Sequence, residues 1–293
     1  MSILVVGGTG TVGSQTVRAL LDRSASVRVM TRTADKFASL PKGVTGVVGD
    51  MAKPATLREA FRGVESLFLL TPLAQDETQQ GLAAVEAAKA AGILRIVYMS
   101  VWLPEGSEHI PHFKSKIPIE QAAQESGLAW TILRPNNFFQ NDFWFQEAIT
   151  SHGVYPQPLG SAGVHRVDVR DIADAAVNAL TQSGHDGKIY PLNGPEALTG
   201  DEVARIFARN LGHEVRYAGD DLEAWAAQAR QGLPEWLLQD FQIMYRFFQE
   251  RGFRATPADF AEQRKGVGHE PRSFEAFVAE IAPAWRRRAA SHA

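Results

Sequence analysis

The chain has 293 residues and is 45% apolar, enough for one large domain or two ordinary domains with a buried core, so a disordered or fibrous protein is excluded. Its 30 Lys and Arg residues against 33 Asp and Glu residues give a net charge of -3, without the basic excess that nucleic-acid binding normally requires. The absence of cysteine excludes a disulfide framework, an iron-sulfur cluster, thiolate-bound zinc and a cysteine nucleophile.

The sequence predicts neither a signal peptide nor a membrane span. The first apolar run, from Ile3 to Val6, is too short for a signal-peptide core and no charged segment precedes it. No stretch approaches the roughly 18 apolar residues of a membrane-spanning helix. We therefore expect a soluble protein of the cytoplasm that has neither nucleic acid nor a membrane as a partner.

Short runs rich in Val, Ile and Leu alternate with longer segments of helical apolar spacing, which is typical of β-α-β units. The predicted strands are Ile3 to Val6, Val27 to Thr31, Gly46 to Val48, Ser66 to Leu70, Arg95 to Met99 and Ala129 to Leu133. The predicted helices between them are Val12 to Arg23, Pro54 to Phe61, Thr78 to Ala91 and Ile117 to Ser126. Because buried parallel strands need helices on both faces, the predicted fold class is α/β, a doubly wound parallel Rossmann sheet.

The alternation becomes less regular after Pro135. Predicted elements there are a helix at Asp142 to Ser151, a short strand around Val154, a helix at Ile172 to Leu180 behind the capping pair Asp168 and Asp171, and a helix from the capping box at Thr199 to Leu211 and Gly212. The chain after Gly219 is mostly helical and rich in large side chains. We therefore divide the chain into a Rossmann domain at 1–135 and a smaller, mostly helical substrate-side portion at 136–293, interleaved with the last sheet strands.

A glycine-rich segment directly follows the first predicted strand. It reads Gly7-Gly8-Thr9-Gly10-Thr11-Val12-Gly13 and satisfies G-x-G-x-x-G or, one residue earlier, G-x-x-G-x-x-G. Glycines allow a tight turn and a close approach of the backbone to a pyrophosphate, while the N–H groups that open the next helix face the anion. A simple glycine-rich turn is the alternative. The strand before the motif and the helix after it favour dinucleotide binding by Gly7, Thr9, Gly10, Thr11, Val12 and Gly13.

The end of the second predicted strand indicates which dinucleotide binds. An NAD site usually has Asp or Glu about 20 residues after the glycines, where it binds the ribose 2′-hydroxyl. This chain has no acid between Asp22 and Asp35 and instead has Arg32, with Lys36 four residues later. A guanidinium binds a 2′-phosphate that a carboxylate would repel, so NADP(H) is favoured over NAD(H). The alternative is that Arg32 and Lys36 are ordinary surface charges.

Two further strand ends are expected to border the cofactor, because ligands of such sheets bind outside the carboxyl ends of the strands. Asp50 and Met51 follow the third predicted strand and would flank an adenine, with Asp50 accepting from its amino group. The alternative for Asp50 is a helix cap. Leu70, Thr71 and Pro72 end the fourth strand and are predicted to pass near the ribose or the nicotinamide.

Several segments together resemble the NmrA-like family of atypical short-chain dehydrogenases/reductases, which includes triphenylmethane reductases and NADPH:quinone reductases. The resemblance extends over nearly the whole chain. It lies in the glycine motif, in Ile96 to Ser100, His112 to Glu120, Thr131 to Pro135, Asp168 to Ala173 and Phe274 to Val278. It implies a Rossmann fold and NADP(H)-dependent reduction of a small molecule.

Ordinary short-chain dehydrogenases use Ser together with Y-x-x-x-K, and this chain departs from that pattern. None of its five tyrosines has lysine four residues later, and the matching position reads His112-x-x-x-Lys116, twelve residues after Ser100. The resemblance implies that Lys116 holds the ribose hydroxyls beside the nicotinamide. We interpret Ser100, His112 and Lys116 as the candidate catalytic residues, with His112 as a proton donor. The alternative for His112 is a polar residue that opens a helix.

The segment after the sixth predicted strand is expected to border the substrate. Pro135 fixes a turn there, and the resemblance implies that this loop lies beside the nicotinamide, with Asn137 and Phe138 near substrate. The predicted walls of an apolar pocket are Phe138, Phe139, Phe143, Trp144 and Phe145 on one side and Trp236, Met244 and Phe248 on the other. The alternative is that these aromatic side chains form a core. No metal site is predicted, because His109 and His112 lack a third ligand.

Three functions agree with these features. The favoured one is an NADPH-dependent reductase of a hydrophobic conjugated small molecule such as a quinone, a dye or an enone, because an electron-poor acceptor needs little acid assistance. The second is a non-catalytic NADP(H)-sensing regulatory protein. The third is a dehydratase or isomerase that retains its cofactor. The oligomeric state, monomer or homodimer, is left open.

Overall fold

The computed structural model describes residues 2–290, with side chains through residue 287. The strands of this part of the chain are β1 (Ser2–Val6), β2 (Ser26–Thr31), β3 (Val44–Val48), β4 (Ser66–Leu70), β5 (Arg95–Met99), β6 (Ala129–Pro135), β7 (Val154–Tyr155), β8 (Val164–His165), β9 (Lys188–Leu192), β10 (Ala197–Leu198) and β11 (Arg216–Tyr217).

The helices cover both faces of the sheet and form most of the second half of the chain. The α-helices are α1 (Thr11–Asp22), α2 (Leu57–Ala60), α3 (Glu77–Ala90), α4 (Pro111–Lys114), α5 (Ile117–Glu125), α6 (Gln146–Ser151), α7 (Val169–Thr181), α8 (Gly200–Leu211), α9 (Leu222–Ala229), α10 (Glu235–Arg251), α11 (Pro257–Val267) and α12 (Phe274–Ala290). Short 3-10 helices lie at Ala34–Ser39, Pro54–Thr56 and Phe139–Phe145.

The central sheet of the described chain has seven strands in the order β3-β2-β1-β4-β5-β6-β9, and all neighbours pair in parallel. This confirms the predicted doubly wound α/β fold. The chain first builds outward from β1 through β2 to β3 and then returns to place β4 on the other side of β1. The two directions diverge at β1 and β4, so the crevice that such sheets use for ligands lies at the carboxyl ends of these two strands.

Strand β1 shows why the sheet carries helices on both faces. Its side chains alternate between faces, as in any strand. Ile3 and Val5 pack in one apolar cluster with α1 and α7, while Leu4 and Val6 pack in another with α2, α3 and α5. All four side chains are buried, so β1 is apolar on both faces and has to lie inside the sheet.

A third apolar cluster lies beyond the sheet and is rich in aromatic side chains. It joins α8, α9, α10 and α12 to residues that follow β5 and β6, among them Phe113 and Phe139. The short pairs β7 with β11 and β8 with β10 lie in the same half of the chain. Among the helices described here, none combines the length and the apolar character needed to cross a bilayer.

The observed elements follow the sequence prediction with two main differences. The predicted helix at Asp142 to Ser151 is a 3-10 helix at Phe139–Phe145 that continues into α6. Strand β9 was not predicted, because Pro191 interrupts its strand pattern. A proline is tolerated there because β9 is an edge strand. No further strand of the described chain pairs with its outer side, so an N–H at Pro191 would have had no strand partner there.

Candidate functional site

The glycine-rich segment forms a tight turn between β1 and α1. Gly7 has a φ of +75°, and the Gly10 N–H donates to its carbonyl oxygen over 3.0 Å. A Cβ on Gly13 would lie 2.2 Å from that same oxygen, so only glycine allows α1 to start this close to the turn. No described side chain caps α1, so the first N–H groups of the helix are available to an anion.

The other predicted cofactor residues on the first three strands lie along the same sheet edge. Arg32 follows β2 and is exposed, as is Lys36, and within residues 2–287 neither side chain has an ion-pair partner. Asp50 follows β3 and accepts a 3.0 Å hydrogen bond from the Ala52 N–H, so it stabilises the local turn. It does not cap the 3-10 helix that follows, whose N-cap residue is Lys53. Met51 is half-buried against the apolar cluster beneath the sheet.

A cavity of about 510 Å³ opens between the sheet and the C-terminal helices. Among the predicted site residues, those that line it are Thr11, Thr71, Ser100, His112, Lys116, Pro135, Asn137 and Phe138. Leu70 and Pro72 flank Thr71 but do not line the cavity. The glycine turn and the predicted catalytic residues therefore meet at one end of a single cleft.

The rest of the cavity wall is mostly apolar. The lining side chains that follow β6 in the chain include Trp144, Phe145, Trp225, Leu233, Phe241, Met244, Tyr245, Phe248 and Phe253. Trp144 is 71% exposed and Leu73 is 42% exposed, although both line the cavity, so they lie at its mouth. A concave, largely aromatic cleft with a few polar groups at one end is typical of a site for a small hydrophobic molecule.

Part of the predicted aromatic wall packs elsewhere. Phe139 contacts Phe274 and Phe277, so it belongs to the core, as the alternative interpretation held. Trp236 does not line the cavity. On α10 the lining residues Phe241, Met244, Tyr245 and Phe248 share one face, and at about 100° per residue Trp236 is turned roughly 140° away from it.

Lys116 is held at the cavity wall by a buried carboxylate that the sequence analysis missed. Glu77, in the first turn of α3, is fully buried and accepts from Lys116 Nζ. It also accepts from Thr71 Oγ1 over 2.6 Å and from Ser115 Oγ over 2.7 Å. Three donors satisfy the charge of Glu77, and the ammonium group of Lys116 has one fixed position as a result.

His112 has a carboxylate partner from the other half of the chain. Its Nδ1 lies 2.6 Å from Oδ1 of Asp240 on α10, a side chain that is 96% buried. The rings of Phe113 and Phe241 meet the imidazole edge-on. Packing and the hydrogen bond together fix the ring plane of His112 in the cavity wall.

The loop after β6 is held from below by a buried arginine. Arg166 Nε donates to Asn137 Oδ1 over 3.1 Å, and Arg166 Nη2 donates to the Phe138 carbonyl over 2.8 Å. Arg166 also forms two hydrogen bonds of 2.8 and 2.9 Å with Asp142, and neither side chain has any exposed surface. Asn137 and Phe138 therefore have a rigid support below the cavity.

Two other polar groups of the cavity differ in their surroundings. Ser100 is 2% exposed, and its Oγ has no hydrogen-bond partner among the described residues, so it can accept or donate to a bound molecule. Burial raises the pKa of the Tyr245 hydroxyl, so this phenol stays protonated through the neutral range.

Sequence reasoning missed Glu77, Asp240 and Arg166. A charged residue in the first turn of a helix, such as Glu77, is usually exposed and favourable with the helix dipole. One feature of the sequence could have indicated Asp240, because it is an acid next to Phe241 within an apolar stripe of a helix. Each of these residues depends on a partner that is distant in the chain, and the sequence alone did not indicate the pairing.

The chain is similar to known proteins in sequence and in fold. A sequence model of the NmrA-like family matches residues 1–278. The NAD(P)H azoreductase of Xenophilus azovorans is 40% identical over 248 residues, which cover 83% of this chain and 86% of that protein.

Two solved structures have the same fold. The NADPH-dependent quinone oxidoreductase of Escherichia coli, complexed with NADPH, has a TM-score of 0.83 and 25% identity, over 95% of this chain and 99% of that one. The triphenylmethane reductase of Citrobacter sp., complexed with NADP(H), has a TM-score of 0.82 and 25% identity, over 96% and 100% of the two chains.

Proposed function

The chain belongs to the NmrA-like family, and from this premise we propose that it is an NADPH-dependent reductase that acts on a hydrophobic conjugated small molecule of the dye, quinone or enone type. One observation carries the proposal. The glycine turn, through Thr11, and the ammonium group of Lys116 lie in the wall of the same cleft whose remainder is aromatic. A cofactor and an apolar acceptor can therefore meet in one cavity.

The residues present fit NADP(H). The turn from Gly7 to Gly13 leaves no room for a Cβ at its tightest point, and α1 directs uncapped N–H groups outward from it. Arg32 is an exposed cation directly after β2, where a 2′-phosphate would lie, and Lys36 is a second exposed cation in the 3-10 helix that follows. When bound, the reduced nicotinamide supplies the hydride for reduction.

The chain's own residues would bind the cofactor, orient it toward the acceptor and exclude water from the cavity. Lys116, held by Glu77, would donate to the ribose hydroxyls, and Ser100, which lines the same cavity, has an Oγ without a described partner. The aromatic wall offers flat apolar surface to a conjugated acceptor and keeps solvent away from the reacting atoms. Because such acceptors are electron-poor, hydride transfer to them does not need a phenol, and His112 stands where ordinary short-chain dehydrogenases have one.

The proposal is tested by NADPH oxidation with a panel of quinones, azo dyes, cationic triarylmethane dyes and enones. We expect substrate-dependent oxidation by the wild-type protein and a loss in kcat/KM of at least about tenfold in Lys116→Met, because the donor that orients the ribose is removed. Lys114→Met, an exposed lysine two residues away, is the matched control and should retain wild-type rates. Tight NADPH binding without oxidation by any acceptor would support the sensing function instead.

Cofactor preference provides a separate prediction. Arg32→Ala should raise the Kd for NADPH about tenfold, since an exposed guanidinium-phosphate contact contributes about 1.4 kcal/mol. The Kd for NADH should change much less, because NADH has no 2′-phosphate. Calorimetry with both coenzymes measures the two values, with Lys42→Ala, another exposed cation, as the control. Equal weakening for both coenzymes would remove Arg32 from the 2′-phosphate site.

A further inference from the structure

We propose that Asp240 is a positioning residue that holds His112 as the proton donor to the substrate, so that the enzyme acts on neutral acceptors that take up a proton with the hydride, azo compounds and quinones in particular. This inference rests on the proposed reductase function. It adds to that function a specific acid, a residue that orients it, and a division of the acceptors by their need for a proton.

The position of Asp240 calls for a charged or hydrogen-bonding partner. It is 3% exposed, on a helix whose neighbouring face is aromatic, and an ionised carboxylate is unfavourable there unless it is paired. Within the described chain, its carboxylate pairs with Nδ1 of His112, at 2.6 Å. This contact joins α4 to α10 across 128 positions of sequence, so it links the cofactor side of the cleft to its aromatic wall.

The carboxylate decides which ring nitrogen is available for chemistry. An ionised Asp240 can only accept, so Nδ1 of His112 has to carry a hydrogen. The second nitrogen, Nε2, is then the atom that gains and loses the transferable proton. Among residues 2–287 Nε2 has no hydrogen-bond partner, and the ring lines the cavity. The same division of roles, with a carboxylate holding one nitrogen and the other moving a proton, underlies acid-base catalysis by histidine elsewhere.

The proton has a defined place in azo reduction. The hydride from the reduced nicotinamide forms an N–H bond at one azo nitrogen, and the electron pair of the N=N π bond moves to the other nitrogen. That nitrogen takes the proton from Nε2 of the imidazolium. The products are a hydrazine, the oxidised cofactor and a neutral His112, which regains its proton from water. A cationic triarylmethane dye differs, because its central carbon takes the hydride and needs no proton.

The other polar groups of the cavity are less suited to this step. Burial raises the pKa of Tyr245, which makes its phenol a weaker acid than an ordinary tyrosine. Lys116 donates to the buried carboxylate of Glu77, which stabilises the charged ammonium group. The hydroxyl of Ser100 has no described partner that could replace a lost proton. His112 combines a place in the cavity wall with an orientation fixed by Asp240.

The test compares two acceptors in the same protein. We measure kcat for azobenzene, which needs a proton, and for crystal violet, which does not, in wild type, His112→Gln and Asp240→Asn. General acid catalysis typically contributes about 10²–10⁴-fold, so the ratio of the two kcat values should fall about a hundredfold in His112→Gln and at least about tenfold in Asp240→Asn. Imidazole added to His112→Ala should restore part of the azobenzene rate.

Asp174→Asn is the matched control. Asp174 Oδ2 also bonds a histidine, His269 Nε2 at 3.0 Å, but this pair lies outside the cavity lining. Its substitution should leave the ratio at the wild-type value. A ratio within twofold of wild type in both His112→Gln and Asp240→Asn, with both acceptors reduced, would overturn the role of the pair alone. Failure of the wild-type protein to reduce azobenzene and crystal violet would overturn this inference, whereas the proposed function is overturned only when no acceptor of the quinone, dye and enone panel is reduced.

A measurement without turnover tests the orientation directly. Nitrogen-15 spectra of the histidine rings in cofactor-free protein, recorded at alkaline pH so that the rings are neutral, should show His112 with its single hydrogen on Nδ1. Asp240→Asn, whose amide can either accept or donate, should give a mixture of the two tautomers. A wild-type spectrum with the hydrogen on Nε2 would contradict the proposed orientation whatever the rates show.

Discussion

Replacing Gly13 with alanine is expected to weaken NADPH binding on the order of a hundredfold, about 2.7 kcal/mol. The new Cβ would lie 2.2 Å from the carbonyl oxygen of Gly7 and 2.7 Å from Cα of Gly8. Both contacts are to backbone, so no side chain can move aside and the turn itself has to open. The N-terminus of α1 then withdraws from the pyrophosphate.

Calorimetric titration with NADPH measures this effect. Ser14→Ala, one residue further along α1, removes a hydroxyl and adds no atom, so its Kd should stay within about threefold of wild type. Circular dichroism should show that Gly13→Ala is folded. Wild-type affinity in Gly13→Ala would mean that the turn does not hold the cofactor.

Replacing Arg166 with methionine is expected to lower the free energy of unfolding by about 3–5 kcal/mol, because it leaves the carboxylate of Asp142 buried without its cation. Arg166 and Asp142 have no exposed surface and form two parallel hydrogen bonds. Arg166 also lies over the ring of Phe274, 4.9 Å from its centre, so its loss removes packing as well.

Urea denaturation gives the free energy of unfolding for this series. The exposed pair Arg209 and Glu275, with side chains 59% and 48% exposed, provides the control, and Arg209→Met should cost less than about 1 kcal/mol. The double variant Arg166→Met, Asp142→Leu should regain part of the loss, since it removes the uncompensated charge too. A change below about 1 kcal/mol in Arg166→Met would show that the buried pair contributes little.

The parts of the fold that sequence could predict are those encoded by neighbouring residues. The strand, glycine turn and helix from Ser2 to Asp22 lie in one local pattern, and so does the spacing of His112 and Lys116. The family resemblance added the role of that spacing. The prediction that Trp236 lines the pocket is wrong, because the lining stripe from Phe241 to Phe248 lies on another face of α10.

The remaining parts depend on side chains that meet only in the folded chain. Glu77 is 39 positions from Lys116, and Asp240 is 128 positions from His112. Burial turns these pairs into fixed, directional contacts, whereas the same residues in water would be ordinary surface charges. Strand β9 could not be predicted from its sequence for a related reason. Pro191 is compatible with a strand only at the edge of the sheet, and that position is set by the folded chain.

The pairing of β9 with β6 limits how the chain can be divided. Thr131 to Pro135 pair in register with Lys188 to Leu192, so the strand that completes the sheet comes from well beyond the end of the nucleotide-binding segment. A fragment ending at Pro135 would expose the whole hydrogen-bonding edge of β6, a template for self-association. During synthesis this edge stays unpaired until β9, which ends 57 residues after Pro135, has left the ribosome, and in that interval it is available for aggregation.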